Sequence, residues 1–272
     1  MNKMKRTLCC LLSLVMLLCP GAWLRQAAAT SYGDMISDIL NRLNENDARC
    51  TSAPQQAVNG AYRLTEMLAV IGYEWASTSS QTKLIGDVLN DLSTMNDSCT
   101  SAPQQLANGA YRIVDMLAII ALENDTYGAY QKMILDILSD KDTKDKACSG
   151  AAQQAVNGLY RSTELLTIIA LELDGQGVNT SIITGVLNDL STQDDACNSV
   201  IQQQVNGAYR MTDLLAVIAL ELDTTGSYKQ LTMNVLDLRD TNDKNAASAP
   251  QQLVNGLYRC VELAAIIATE LS

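Results

Sequence analysis

Apolar residues along this chain fall into two kinds of segment that alternate from one end to the other. The shorter kind is seen in Met35-Ile36-Ser37-Asp38-Ile39-Leu40 and again in Leu84-Ile85-Gly86-Asp87-Val88-Leu89. Apolar side chains at i, i+1, i+4 and i+5 make one face of an amphipathic helix, with polar residues opposite. Each such helix gives way to a polar tract, Asn44-Glu45-Asn46-Asp47 or Asp140 to Asp145, that reads as loop.

The longer kind opens on Ser52-Ala53-Pro54-Gln55, with the same start at Ser101, Ser199 and Ser248 and with Gly150 in the remaining copy. A serine hydroxyl can accept from a free first-turn amide, and a glutamine three residues on can reach back. Proline is tolerated there because first-turn amides have no intrahelical partner. The pattern predicts a helix of about twenty residues, ending near Glu74. Projected at ~100° per residue, Gln55, Gln56, Asn59, Arg63, Glu66 and Glu74 share one stripe, with Tyr62 at its rim and Val70 as an apolar interruption. Val58, Ala61, Leu64, Leu68, Ile71 and Trp75 fill much of the remaining circumference. A helix this apolar is expected to be sandwiched between its own short helix and the neighbouring units. Gly60 inside it costs ~1 kcal/mol relative to alanine. Its presence in every copy implies a need for space, most simply a close helix crossing.

The two segments recur as a unit of 49 residues, written five times without insertion or deletion at 28–76, 77–125, 126–174, 175–223 and 224–272. Asn-Gly returns at Asn59, Asn108, Asn157, Asn206 and Asn255, Tyr-Arg at Tyr62, Tyr111, Tyr160, Tyr209 and Tyr258, and a glutamine pair precedes each. A fixed period of ~20 to 50 residues marks a repeat array whose units share one core. The expected fold is all-α: a tandem array of five helical hairpins forming an α-solenoid-like superhelix, with a closed α/α toroid as the alternative. A hairpin of this size resembles the two-helix units of α-solenoids, with a longer period than the ~40–47 residues of HEAT and armadillo repeats. The resemblance is one of architecture alone. The fifth unit runs from Ala264 to Ser272 with little added polarity, so the array either closes on itself or meets other molecules at its ends.

Residues 1–29 stand outside the period. Lys3, Lys5 and Arg6 precede an apolar run from Leu8 to Leu18, and Ala27, Ala28 and Ala29 follow, the layout of a secretory signal peptide. The apolar run is short of the ~20 residues that a membrane span needs. Residues 30–272 are then expected to form a single helical repeat domain, exported to the periplasm or the exterior, with no membrane span. The chain holds 19 Lys+Arg and 30 Asp+Glu; the leader takes four of the bases (Lys3, Lys5, Arg6, Arg25) and no acid, leaving 15 against 30, a net charge of −15. That surface repels phosphate backbones, so no nucleic-acid partner is expected.

The chain has no histidine, which removes Ser-His and Cys-His nucleophile pairs and His-ligated metals. Glu66, Asp115, Glu164, Asp213 and Glu262 each lie three residues from an arginine, which stabilises the charged carboxylate rather than preparing an acid. No enzyme, cofactor or metal is expected. Asp140-x-Asp142-x-x-Asp145 and Asp174-Gly175-Gln176-Gly177 are oxygen-rich but lack EF-hand spacing, and read as solvated acidic loops.

Stacked long helices would turn the polar stripe into a ladder of Asn59, Arg63, Asn108, Arg112, Asn157, Arg161, Asn206, Arg210, Asn255 and Arg259. The ladder could present repeated subsites to a peptide or a neutral cell-wall glycan. It could equally bind repeats together through Arg–acid pairs and amide bonds across the interface. Cys50, Cys99, Cys148 and Cys197 lie one period apart and Cys260 lies elsewhere; five thiols is an odd number, which suggests an intermolecular disulfide or a free thiol. The function expected is that of a secreted, non-enzymatic helical-repeat protein, structural or engaged in protein–protein interaction at the cell envelope or extracellular matrix, self-assembly included. The alternatives are a module holding a peptide or neutral glycan along the polar face, and an inhibitor of a secreted enzyme.

Overall fold

Each long helix starts where its capping residue or proline places it. The structure, a computed structural model, describes residues 31–47, 50, 52–99, 101–145, 147–148, 150–194, 197 and 199–272; the expected leader lies outside these. The long helices are α2 (Ala53–Trp75), α4 (Ala102–Asn124), α6 (Ala151–Leu173), α8 (Val200–Leu222) and α10 (Ala249–Leu271), each of 23 residues. The shorter ones are α1 (Tyr32–Arg42), α3 (Ser79–Ser98), α5 (Gln131–Asp140), α7 (Thr180–Asp189) and α9 (Lys229–Leu238). No strand occurs among the described residues, and no described helix is long and apolar enough to cross a membrane.

Half of the expected capping box is present. Ser52, Ser101 and Ser199 accept from the amides of Gln55, Gln104 and Gln202 at 3.3, 3.4 and 3.4 Å. The glutamine side chain does not complete the box, because it turns forward to an asparagine one turn on. Ser248 makes no such bond, and Gly150 has no side chain to offer.

The polar tracts after the short helices are not loops. Leu43–Asp47, Lys141–Asp145, Leu190–Asp194 and Arg239–Asp243 each continue the preceding helix by one wider, π-type turn. The turn holds side chains that pack or pair inward, Leu43, Lys141, Leu190 and Arg239, so tertiary contacts outweigh the polarity of the tract. Asp174 also departs from the expected solvated loop. It is buried after α6, where it accepts from the Asn179 amide at 3.2 Å and Thr180 Oγ1 at 2.7 Å. Asp125 and Asp223 do the same work with the amides of Tyr130 and Tyr228. Gly128, Gly177 and Gly226 carry φ of +68°, +70° and +73° in these turns, a region that a side chain disfavours.

The long helices pack side by side in chain order, and α10 packs back against α2. A short helix lies over each groove between neighbouring long helices, with α1 over the groove between α10 and α2. The row of long helices is therefore a closed ring, and the open superhelix with free ends is not what forms. Contacts join residues at equivalent positions: Tyr62 meets Gly109, Tyr160 meets Gly207, and Tyr258 meets Gly60. Equal levels in contact all the way round mean that the five helices run parallel and in register.

Glycine makes this spacing possible. A Cβ on Gly60 would lie 3.0 Å from Leu257 Cβ and 3.1 Å from the Tyr258 ring; on Gly109, 2.9 Å from the Tyr62 ring; on Gly158, 2.7 Å from Ala110 Cβ. The close helix crossing expected from the repeated glycine is thus present at each junction, including the one that closes the ring. Around the axis the packed positions 54, 57, 68, 71 and 75 lie on one heptad seam, the spacing of left-handed helical bundles. Burying one such Leu or Ile contributes about 1.5–3 kcal/mol.

Candidate functional site

The recurring motif Gln-Gln-x-x-Asn-Gly-x-Tyr-Arg is consumed within the molecule. The first glutamine donates through Nε2 to the asparagine Oδ1 four residues on, at 3.3, 3.3, 3.3, 3.1 and 3.1 Å for Asn59, Asn108, Asn157, Asn206 and Asn255. These bonds lie along one helix face, not across the interface between repeats, where the reading of the stripe as glue between repeats would place them. The second glutamine ties down the segment preceding its helix: Gln105 and Gln154 donate to the carbonyls of Cys99 and Cys148 at 2.8 Å. Gln252 reaches the carbonyl of Lys244 at 2.9 Å.

The arginines of the ladder latch each long helix to the short helix of its own unit. Arg112 bridges Asp91 at 2.9 Å and Asp115 at 3.2 Å and is itself buried. Arg161 engages Asp145 at 3.0 Å, Glu164 at 3.0 Å and Asp140 at 3.4 Å. Arg210 pairs with Asp189 at 3.3 Å, and Arg259 with Asp243 at 2.8 Å and Glu262 at 2.5 Å. In the first unit the arrangement is inverted, with Arg63 and Arg42 both on Glu66 at 2.7 and 3.1 Å. Burial pushes the Glu164 carboxyl up, and Arg161 draws it back only in part because Asp145 and Asp140 crowd the same guanidinium. Among the described residues no group of three or more His, Cys, Asp or Glu is placed to hold a metal ion.

Two further ion pairs, which the repeat pattern alone did not suggest, cross between units. Lys141 reaches Asp115 of the preceding unit, and Arg239 reaches Asp213 of the preceding unit; both cations are buried. They occupy the position that holds Leu43, Leu92 and Leu190 in the other units. The chain carried the signal. Where the acid of the preceding unit is Asp (Asp115, Asp213) this position is a cation, and where it is Glu (Glu66, Glu164, Glu262) it is leucine.

The cysteines divide into two kinds. Cys50, Cys99, Cys148 and Cys197 are half-buried just ahead of long helices, and all described thiols are free. Cys260 is fully buried, its thiol pushed up to about 12 by burial, and lies 3.4 Å from both the Ala208 carbonyl and Thr212 Oγ1. It is removed from the positions able to bridge two folded chains.

The outer helices present a different pattern. Leu84, Met133, Ile182 and Leu231 occupy one position of successive short helices and are 51, 53, 52 and 50 % exposed, an apolar spot repeated at equal exposure. Met35 holds the same position in α1, partly covered. Leu135 and Met233 are exposed on the other flank of the same helices in the third and fifth units. No protein-family model matches the chain, and neither a curated protein nor a solved structure matches it.

Proposed function

We propose that this chain is a secreted, non-enzymatic helical-repeat protein, five hairpins closed into a ring, that acts by binding other proteins through its outer short helices. The observation that carries the reading is the recurrence of a half-exposed apolar residue at Leu84, Met133, Ile182 and Leu231. A single exposed Leu is ordinary, whereas the same spot kept open on successive helices makes equivalent contact points around a rim. Asp87 and Asp136 flank two of these points, each paired with a lysine of its own helix, and the acidic excess of the chain as a whole favours a partner with basic residues around an apolar anchor. The polar stripe of the long helices supports capture of a peptide or glycan less well, because its Asn and Arg side chains are engaged within each unit.

The test uses the mature chain and a variant carrying Leu84→Lys, Met133→Lys, Ile182→Lys and Leu231→Lys, both immobilised and exposed to the secreted and envelope fractions of the source cells. The expected result is that a protein held by the wild type is lost from the variant at unchanged melting temperature and rebinds wild type after purification. Recovery of the chain itself as that protein would mean self-assembly. Identical retention by both would overturn the reading.

A further inference from the structure

At the N-terminal ends of the five long helices lies a cavity of about 290 Å³ to which all five contribute. Pro54 and Pro103 stand exposed at its rim, while Ala57, Leu106 and Leu253 are buried in its wall. One lining side chain is polar, Gln204, and its amide nitrogen is committed to the Ala152 carbonyl at 2.8 Å. At the opposite end the same seam is filled by leucine and isoleucine from all five helices, Leu68 and Ile120 among them, leaving about 10 Å³. The result is a blind apolar pocket, floored by the core and open on one face of the ring.

The pocket follows from residue size. Ala57 and its equivalent Ala155 stand at the level where Leu106 and Leu253 project, so two of the five helices leave room. Water is poorly suited to fill that room, because an ordered water needs two to four polar partners and this wall is apolar. An apolar cavity of about 150 Å³ accepts benzene. We infer that the axial pocket is a binding site for an uncharged apolar small molecule, an aryl or alkyl body about twice the size of benzene. The site is separate from the outer face and does not depend on the protein-binding reading.

Naphthalene is the probe, measured against the folded mature chain by its fluorescence polarisation and by the melting temperature. Wild type should bind it saturably and melt at a higher temperature in its presence. Ala57→Phe, which fills the pocket, should keep its helicity and lose affinity by about tenfold or more. Ala152→Leu, a smaller obstruction from another helix that lines the pocket, should weaken binding too, and it decides the matter in the same way if Ala57→Phe fails to fold. The four-lysine outer variant should bind as wild type does. No saturable binding to the wild type would overturn the proposal. So would binding that survives both filling substitutions, or binding lost in the outer variant alone.

Discussion

At the scale of single residues, the molecule turns on the contact of a glycine with the tyrosine of the unit beside it. Gly158→Ala would gain about 1 kcal/mol of helix propensity. It would also set a methyl 2.7 Å from Ala110 Cβ and 3.2 Å from the Ala110 carbonyl carbon, where backbone must move. Overpacking of this kind costs about 1–3 kcal/mol, so a net loss is expected in urea denaturation. Gly185→Ala, on α7 with nothing within 4 Å, should instead stabilise by about 1 kcal/mol. The tyrosines make the same crossings sensitive to alkali. Burial pushes the Tyr62 and Tyr209 hydroxyls up to about 12 and raises Tyr111 as well. A folded pKa above the unfolded value of 10.0 favours the neutral form, so this contribution is complete below pH 10 and is lost as pH rises through about 12. Tyrosinate absorbance and helical circular dichroism should change together in that window; absorbance complete near pH 10 with helicity intact would refute the assignment. The glycine requirement was legible, since an expensive residue repeated inside a helix needs a reason. The tyrosine that meets it was not, because Tyr62 projects to the rim of the polar stripe and only the neighbouring unit covers it.

Among elements, the seam where each short helix reaches the preceding unit separates what periodicity reveals from what it hides. Capped starts and 3.6-residue spacing located the long helices to within a residue or two, since serine, proline and glutamine act locally. The extra wide turn at Lys141–Asp145 has the composition of a loop because it is polar, yet Lys141 turns inward to Asp115. Asp115→Ala would leave that buried ammonium with only exposed Asp142 nearby, at 3.5 Å, and should destabilise by about 3 kcal/mol. The chain also contains its own repair. Asp115→Glu with Lys141→Leu recreates the combination of Glu66 and Leu92, and this double variant should return to within about 1 kcal/mol of wild type. Chemical denaturation of the three proteins decides it, and a double variant no better than Asp115→Ala would sink the correspondence.

For the whole molecule, closure is the property that a linear reading leaves open. A 49-residue period states that units stack, but curvature depends on how near adjacent helices come, and that distance resides in Gly60 against Tyr258 across the two ends of the chain. An open array would leave that tyrosine and that glycine without each other, so their presence in the outermost units was a hint beside the apolar end of the fifth unit. In a ring every long helix has two neighbours. Deleting 224–272 removes two interfaces rather than one and should abolish the cooperative melt, whereas an open array would lose a single terminal contact. A circular permutant opened in the turn at 126–129, with Ser272 joined to Ser31 by a short Gly/Ser linker, should keep its helicity and melt within a few degrees of wild type. Thermal circular dichroism separates the outcomes, and a deletion that melts like the parent would contradict closure. The same geometry bears on how such a gene can evolve. Unequal recombination lengthens or shortens an open array one module at a time, each product foldable, but here a sixth copy has no gap to enter and a fourth cannot span the circumference. A change of copy number would therefore demand a new spacing of the helices as well, whereas a substitution within a module leaves the circumference as it is.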